Sequence, residues 1–224
     1  MKIASGLKEN DFIVGNVYDK YSSRNPFVQY IMKGFHNALF DLVNKAAPKS
    51  IHEIGCGEGY WVLRWRNAGF NARGSDFSPR IIRIAQTNAL SSGQDPNIFA
   101  IKNIYHLKAP ADSADLIVCC EVFEHLENPE LALQSMCNIV ENHIIISVPQ
   151  EPIWRVLNII RGKYLFSLGN TPGHIQHWSQ HRFISLVNKY LDIIDIKTPL
   201  PWIILLCQNS RKTHSETLYA KTIT

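Results

Sequence analysis

The sequence predicts an α/β fold, a sheet wound between helical layers, and three features carry that expectation. Ile51–Trp61 reads IHEIGCGEGYW: a short apolar run ends in Glu53, glycines follow at Gly55, Gly57 and Gly59, and a helical pattern then begins. Strand, glycine turn, helix is the opening unit of doubly wound sheets, whose ligands lie against the turn. Asp115–Cys120, DLIVCC, is nearly continuous in apolar and β-branched residues, as a central strand buried on both faces must be. Strand-length apolar runs and helix-length amphipathic runs then alternate as far as Cys207. The expected architecture is a Rossmann-like seven-stranded sheet flanked by helices, a single domain with a lid-like insertion after strand five.

At 224 residues the chain suits one domain with a sizeable core. Hydrophobic content of 46% and charged content of 19% are ordinary globular values. The net charge of +4 is mild and its Lys and Arg residues are scattered, so charge gives little support for a nucleic-acid partner. Cys56, Cys119, Cys120, Cys137 and Cys207 form no C-x-x-C pair, which argues against a zinc cage or a disulfide framework. Free cysteines in apolar runs fit a reducing, cytoplasmic setting. Met1–Asn10 lacks an apolar signal core, and no stretch approaches the roughly 20 apolar residues of a membrane span.

Residues 1–48 are expected to form an N-terminal helical cap. Residues 11–25 read as a loop or frayed helix; Asn25-Pro26 reads as an N-cap with Pro at the first helical position. Phe27, Ile31, Phe35, Ala38, Leu39, Leu42 and Val43 recur at helical spacing until Pro48. Tyr18 and Tyr21 either shape a substrate cavity or are partly packed surface aromatics. The core, 49–150, begins with the Glu53 strand and a helix at Tyr60–Ala68. A second strand, Phe70–Ser75, ends at Asp76, and Ser78-Pro79 caps a helix through Leu90. Asn97–Lys102 is the third strand, Asp115–Cys120 the fourth; Asn128-Pro129 caps a helix to about Val140, and His143–Pro149 is the fifth strand. Glu151–Leu168 has helical period but is apolar on most sides, and Gly169–Ser179 is a loop with His174 and His177, so 151–180 is read as the insertion. A helix at His181–Leu191 and strands at Ile193–Lys197 and Trp202–Cys207 complete the core over 181–207, leaving 208–224 as a polar tail.

The glycine spacing decides the ligand class. Dinucleotide sites want G-x-G-x-x-G with pyrophosphate at the helix N-terminus, whereas residues 53–59 read acidic-x-G-x-G-x-G with no basic residue in the turn. A carboxylate just before the turn suits a ligand with a positive ammonium group. A nicotinamide oxidoreductase is disfavoured on this spacing. A carboxylate at the tip of the second strand, Asp76, can accept from both ribose hydroxyls.

Residues 53–59, with SDFSP at 75–79, resemble the first two motifs of the class I S-adenosylmethionine (SAM) methyltransferases. The resemblance implies a SAM site made by Glu53, Gly55, Cys56, Gly57, Gly59, Asp76, Phe77, Asn103, Ile104 and Glu121. Asn103 departs from the family, which usually places an acid there to accept from the adenine amino group. An Asn oxygen still accepts one hydrogen bond, and Asn is equally at home as a plain turn residue.

Glu121, Glu124 and His125 form E-x-x-E-H at the carboxyl edge of strand four, where ligands of open α/β sheets sit. With His174 they offer two carboxylates and two imidazoles to a divalent metal such as Mg, which lowers a hydroxyl's pKa. The same pattern, followed by a His in the post-strand-five insertion, occurs in two groups the chain resembles. One is the ubiquinone-biosynthesis O-methyltransferases; the other methylates the terminal 2′-hydroxyl of small RNAs and binds a metal at these positions. Through VPQEPIWRVLNIIRGKYLFSLGNTPGHIQHWS the chain is more similar to the quinone type. Two other readings stand beside the metal. In one, Glu124-His125 caps a helix and His174, His177 or His125 serves as a base near neutral pH; in the other, the histidines are structural.

For 151–168 the favoured expectation is a lid that excludes water, with Arg155 or Arg161 near an acidic group of the acceptor. The alternative is peripheral membrane contact through its apolar residues and cations. The expected function is SAM-dependent O-methylation of a small hydroxylated or phenolic acceptor. N- or C-methylation and a non-catalytic SAM-binding module are the alternatives; a nucleic-acid acceptor is not expected, and the oligomeric state is left open.

Overall fold

The computed structural model describes residues 1–9, 12–16, 18–162 and 164–209. Its sheet comprises β1 (Ile51–Ile54), β2 (Ala72–Asp76), β3 (Phe99–Ile101), β4 (Ala114–Cys120), β5 (Val140–Pro149), β6 (Asp192–Lys197) and β7 (Trp202–Gln208). The strand order is β3-β2-β1-β4-β5-β7-β6. β1 to β5 pair in parallel, and β7 runs antiparallel to both its neighbours. The order reverses between β1 and β4, which makes the crevice outside their carboxyl ends the ligand position of this topology.

Among the described residues six α-helices cover the sheet: α1 (Pro26–Ala46), α2 (Tyr60–Asn67), α3 (Pro79–Ser91), α4 (Pro129–Ile139), α5 (Ile153–Ile160) and α6 (Gln180–Val187). The caps followed by proline form as the sequence predicts. Asn25 accepts from Phe27 and Val28 N–H, Ser78 from Ile81 N–H and Asn128 from Leu131 N–H. Each such cap contributes about 1 kcal/mol.

β4 shows why its run is apolar throughout. Leu116, Val118 and Cys120 pack with Leu39, Leu42 and Trp65 on one face, while Ile117 and Cys119 pack with Phe123, Met136 and Phe183 on the other. All seven β4 residues are buried. Among the described residues, no helix is long and apolar enough to cross a membrane.

Four elements differ from the expectation. Lys8–Glu9 pairs antiparallel with Phe12–Ile13, where only loop or frayed helix was expected nearby. β2 starts at Ala72 and not Phe70, because α2 closes through bonds from Gly69 and Phe70 N–H back to Arg66 and Trp65. β3 is shortened because Asp95 caps a 3-10 turn at Pro96–Ile98. The helix expected across Glu151–Leu168 stops at Ile160: Gly162 takes a φ of 66°, and a separate 3-10 turn forms at Leu165–Ser167. At the end of the described residues, Gln208 completes β7 and the Asn209 amide donates to the Cys137 carbonyl. The rest of the expected polar tail, residues 210–224, lies outside the described residues.

Candidate functional site

The residues singled out at the β1 and β2 ends meet. Gly55, Gly57 and Gly59 have φ values of 74°, 53° and 84°. A Cβ on Gly55 would lie 2.3 Å from the Val122 side chain, whereas one on Gly57 would meet nothing within 4 Å. The turn therefore needs glycine for its backbone and leaves room above Gly57 for a ligand. Asp76 accepts from Gly57 N–H at 3.2 Å through Oδ2 and from Ser78 N–H at 3.0 Å through Oδ1. Burial pushes its carboxyl up to about 6, against the pull of these backbone N–H groups. Each oxygen keeps a lone pair for a further donor.

Glu53 is 2% exposed and its Oε2 has no hydrogen-bond partner among the described residues. Burial lifts its carboxyl well above the usual range, opposed by the Val62 N–H and reinforced by Asp76. A buried, half-satisfied carboxylate is costly, and a cationic ligand group would offset that cost. Cys56 is a buried free thiol beside the turn, Phe77 stands half-exposed past Asp76, and Ile104 is buried. The Asn103 oxygen accepts the Tyr105 N–H at 2.9 Å, so it caps the 3-10 turn Ile104–His106.

At the β4 end three of the four expected metal-set residues converge. One ligand atom each from Glu124, His125 and His174 lies within 4.8 Å of the others. Glu124 is 1% exposed and neither carboxylate oxygen has a hydrogen-bond partner among the described residues. Burial drives its carboxyl well up, with Glu121 adding to the rise. The loop carrying His174 is tied to this turn: Ile175 and Gln176 N–H donate to the Glu124 carbonyl at 2.9 and 3.0 Å. The His125 and His174 rings meet edge to face at 4.9 Å. Desolvation, then the neighbouring His125 and His177, lower His174 to about 3.

Glu121 faces elsewhere. Its backbone is left-handed, φ 59°, and its carboxylate accepts from Trp202 Nε1 at 2.6 Å and Ser147 Oγ at 3.3 Å. His177 lies by Arg155, whose guanidinium donates to its Nε2 at 2.9 Å.

A cavity of about 150 Å³ lies between α1 and α5, lined by Phe27, Met32, Trp154, Leu157, Trp202 and the Lys20 stem, among others. Tyr18 borders this cavity, while Tyr21 stacks on Tyr60 at 3.6 Å beside a second cavity between α1 and α2.

Several contributors were not visible in the sequence. Glu58 fastens the N-terminal segment to the glycine turn by accepting from Ala4 N–H, Asn16 N–H and the Asn16 amide. Trp202 and Ser147 pin Glu121, whose carboxyl burial raises, and Lys20 lines both cavities and opposes that rise. Glu58 sits inside the glycine motif, a signal for its place though not its partner. Trp202 depends on the antiparallel return of β7 beside β5, which no local pattern announces.

A methyltransferase-domain family model matches residues 26–190. The ubiquinone biosynthesis O-methyltransferase of Cupriavidus pinatubonensis is 31% identical over 103 residues, 45% of this chain and 41% of that protein. The chain spans about half the length of the curated relatives it matches. Among solved structures, magnesium protoporphyrin IX methyltransferase from Synechocystis PCC 6803 with bound SAH superposes with a TM-score of 0.63 at 16% identity, over 84% of this chain and 89% of that one. The N-methyltransferase NodS from Bradyrhizobium japonicum WM9 gives a TM-score of 0.58 at 18% identity, over 83% and 98%. These likenesses are of fold, and they extend across proteins named for different acceptors. With the glycine turn, the β-strand order and the family match covering most of its length, the chain belongs to the methyltransferase-domain family.

Proposed function

We propose that this chain transfers the methyl group of S-adenosylmethionine to a hydroxyl of a small phenolic acceptor. The observation that carries the acceptor half is Glu124, a buried carboxylate whose oxygens accept no hydrogen bond among the described residues and on which His125 and His174 converge at the sheet's carboxyl edge. For the cofactor half, Asp76 is placed to accept from ribose hydroxyls, the space above Gly57 admits the methionine portion, and the unpartnered Glu53 oxygen suits its ammonium group. The apolar cavity between α1 and α5 is the acceptor pocket in this reading, with α5 as one wall.

Methyl transfer from a sulfonium is an in-line displacement, and a hydroxyl acceptor must also lose its proton. His177 is a poor base here because its Nε2 already accepts from Arg155. His125 keeps a lone pair on Nε2, 3.9 Å from Glu124 Oε1, since its Nδ1 donates to the Gly173 carbonyl. Glu124, His125 and His174 fit a divalent ion as one oxygen and two nitrogen donors, without Glu121. A bound ion supplies Lewis acidity that lowers the pKa of an acceptor hydroxyl. Two imidazoles and one carboxylate suit manganese, iron or zinc better than magnesium, which favours an all-oxygen shell.

The test is a calorimetric titration with SAM and, separately, NAD, followed by labelled-methyl transfer to a matched panel of catechol, phenol and aniline, with and without a chelator. The expected result is SAM binding without an NAD response and chelator-sensitive transfer to the catechol. NAD binding without SAM binding overturns the cofactor; transfer to the aniline alone overturns the acceptor class.

A further inference from the structure

Helix α1 carries two stripes. Its buried one, which includes Ile31, Phe35 and Leu39, packs into the core. Met32, Lys33 and His36 form the other, again at helical spacing, and with Tyr60, Trp61 and Arg64 of α2 they line a cavity of about 200 Å³. Small-molecule sites usually start near about 300 Å³, so this cavity takes a small ligand or one end of a larger one.

Charge decides which ligand. The lining holds three cations, Lys20, Lys33 and Arg64, and no carboxylate. None of the three has a carboxylate within ion-pair distance among the described residues. Asp19, next to Lys20 in the chain, turns its Oδ1 to the Tyr21 and Ser22 N–H groups instead. Lys20 also acts on the Glu121 carboxyl, which leaves Lys33 and Arg64 as the unmatched charge. A cleft lined by one sign of charge gathers ions of the other sign.

The cations are held in position by an aromatic floor. Arg64 lies 5.6 Å over the Tyr60 ring and Lys20 lies 5.4 Å over Tyr21, which itself stacks on Tyr60 at 3.6 Å. The Arg64 guanidinium spans the cavity from α2 to α1, donating to His36 Nε2 at 3.0 Å and to the Tyr60 hydroxyl at 3.4 Å. His36 accepts that bond and is therefore the neutral imidazole at Nε2. Burial, aided by Arg64 and opposed by the Asn37 hydrogen bond, keeps it below its usual pKa. Two of the five guanidinium N–H groups are thus used, and three remain for the oxygens of an anion.

We infer that the cavity between α1 and α2 binds the phosphate or carboxylate group of a small anionic ligand, held by Arg64 and Lys33 above Tyr60 and Trp61. Lys20 and Met32 also line the cavity between α1 and α5, so the two spaces share a wall. The anion site stands on its own lining and does not depend on the acceptor or cofactor proposed above.

The test is calorimetric titration of the full chain, without SAM and at constant ionic strength, with phenyl phosphate, benzoate and the neutral benzamide. Saturable binding of one or both anions, at least about tenfold tighter than benzamide, is expected; the tighter of the two identifies the ligand as a phosphate ester or a carboxylic acid. The double variant Lys33→Gln with Arg64→Gln is expected to weaken that binding by about 10- to 100-fold, the worth of hydrogen bonds to a charged group. Circular dichroism and the thermal midpoint check that it folds. Lys33→Gln alone changes an exposed side chain and is expected to weaken binding about threefold, as an exposed charge pair would. Absence of binding by both anions overturns the inference. So does equal binding of benzamide, or anion binding that these substitutions leave intact.

Discussion

His125 donates its Nδ1 proton to the carbonyl oxygen of Gly173 at 2.9 Å, and because a carbonyl only accepts, this contact fixes the tautomer and leaves Nε2 as a lone pair. The partner lies in the loop after α5, which is itself stitched to the Glu124 carbonyl by two backbone N–H groups. Such a support orients an imidazole for a ligand or proton. His125→Leu removes both ring nitrogens, and with them the Nε2 lone pair, at similar volume. Labelled-methyl transfer is expected to fall about 10- to 100-fold, with SAM affinity unchanged by calorimetry. An equal loss of SAM affinity would show His125 to be a structural prop.

On the proposed SAM site, Asp76 makes cofactor binding depend on pH. Its carboxyl is raised to about 6 in the folded protein, chiefly by burial. Only the ionised form offers ribose hydroxyls a charged acceptor, so SAM affinity is expected to hold above that value and weaken as pH falls through it. Asp76→Asn is expected to cost about 1.5–3 kcal/mol of SAM binding, roughly 10- to 100-fold at neutral pH, and to flatten the pH profile. Calorimetry from pH 5 to 8 in both proteins reads both effects; a profile of the same shape in the variant would remove Asp76 from the ribose contact.

What the sequence discloses about this fold and site follows from range. Asn25-Pro26, Ser78-Pro79 and Asn128-Pro129 announce their helices because a cap is a contact across two or three residues. Glu53 and Asp76 were legible because one lies next to the last residue of β1 and the other ends β2, and parallel strands put their ends on one edge. Glu124, His125 and His174 came together as the motif implied, yet Glu121 turned to Trp202, a pairing set by β7 lying antiparallel beside β5 at Pro149↔Trp202. Residues 151–168 were the least legible part. An apolar run with cations has helical period whether its outer face is covered or bare, and Gly162 divides it at a point that periodicity passes over.

The Glu121–Trp202 contact gives a stability prediction. Trp202 is 3% exposed and packs against Phe35 at 4.9 Å, so Trp202→Phe keeps most of the ring and removes the Nε1 donor. Glu121 then retains only the Ser147 hydroxyl at 3.3 Å. Leaving a buried carboxylate oxygen unpaired costs about 1–3 kcal/mol, to which lost packing adds. Urea unfolding is expected to show a lower midpoint with an unchanged slope. Pairing that substitution with Glu121→Gln, which replaces the charge, is expected to recover part of the loss; no recovery would mean that packing alone explains it.

Away from the cofactor crevice, the β1 histidine gives the fold an acid limit. His52 is 3% exposed, with Nδ1 2.8 Å from the Asp112 carbonyl and Nε2 2.9 Å from Ser75 Oγ. Its Nδ1 therefore carries the proton and its Nε2 accepts from the hydroxyl. Burial lowers its pKa from 6.5 to about 4. The folded state thus binds fewer protons than the unfolded chain between those values, so stability is fully present above pH 6.5 and is lost as pH falls toward 4. The shift corresponds to a loss on the order of 3 kcal/mol. Asp76 runs the other way, since its raised carboxyl favours the folded state as pH falls from 6, but it is common to any pair of proteins that differ only at His52. His52→Leu strands the Ser75 hydroxyl and the Asp112 carbonyl and is expected to cost about 1–3 kcal/mol at pH 7. Its stability is then expected to decline less than that of the unaltered chain from pH 6.5 to 4, so that the two curves converge in acid. Parallel curves would mean that His52 stays uncharged in both states, or that other groups carry the acid slope.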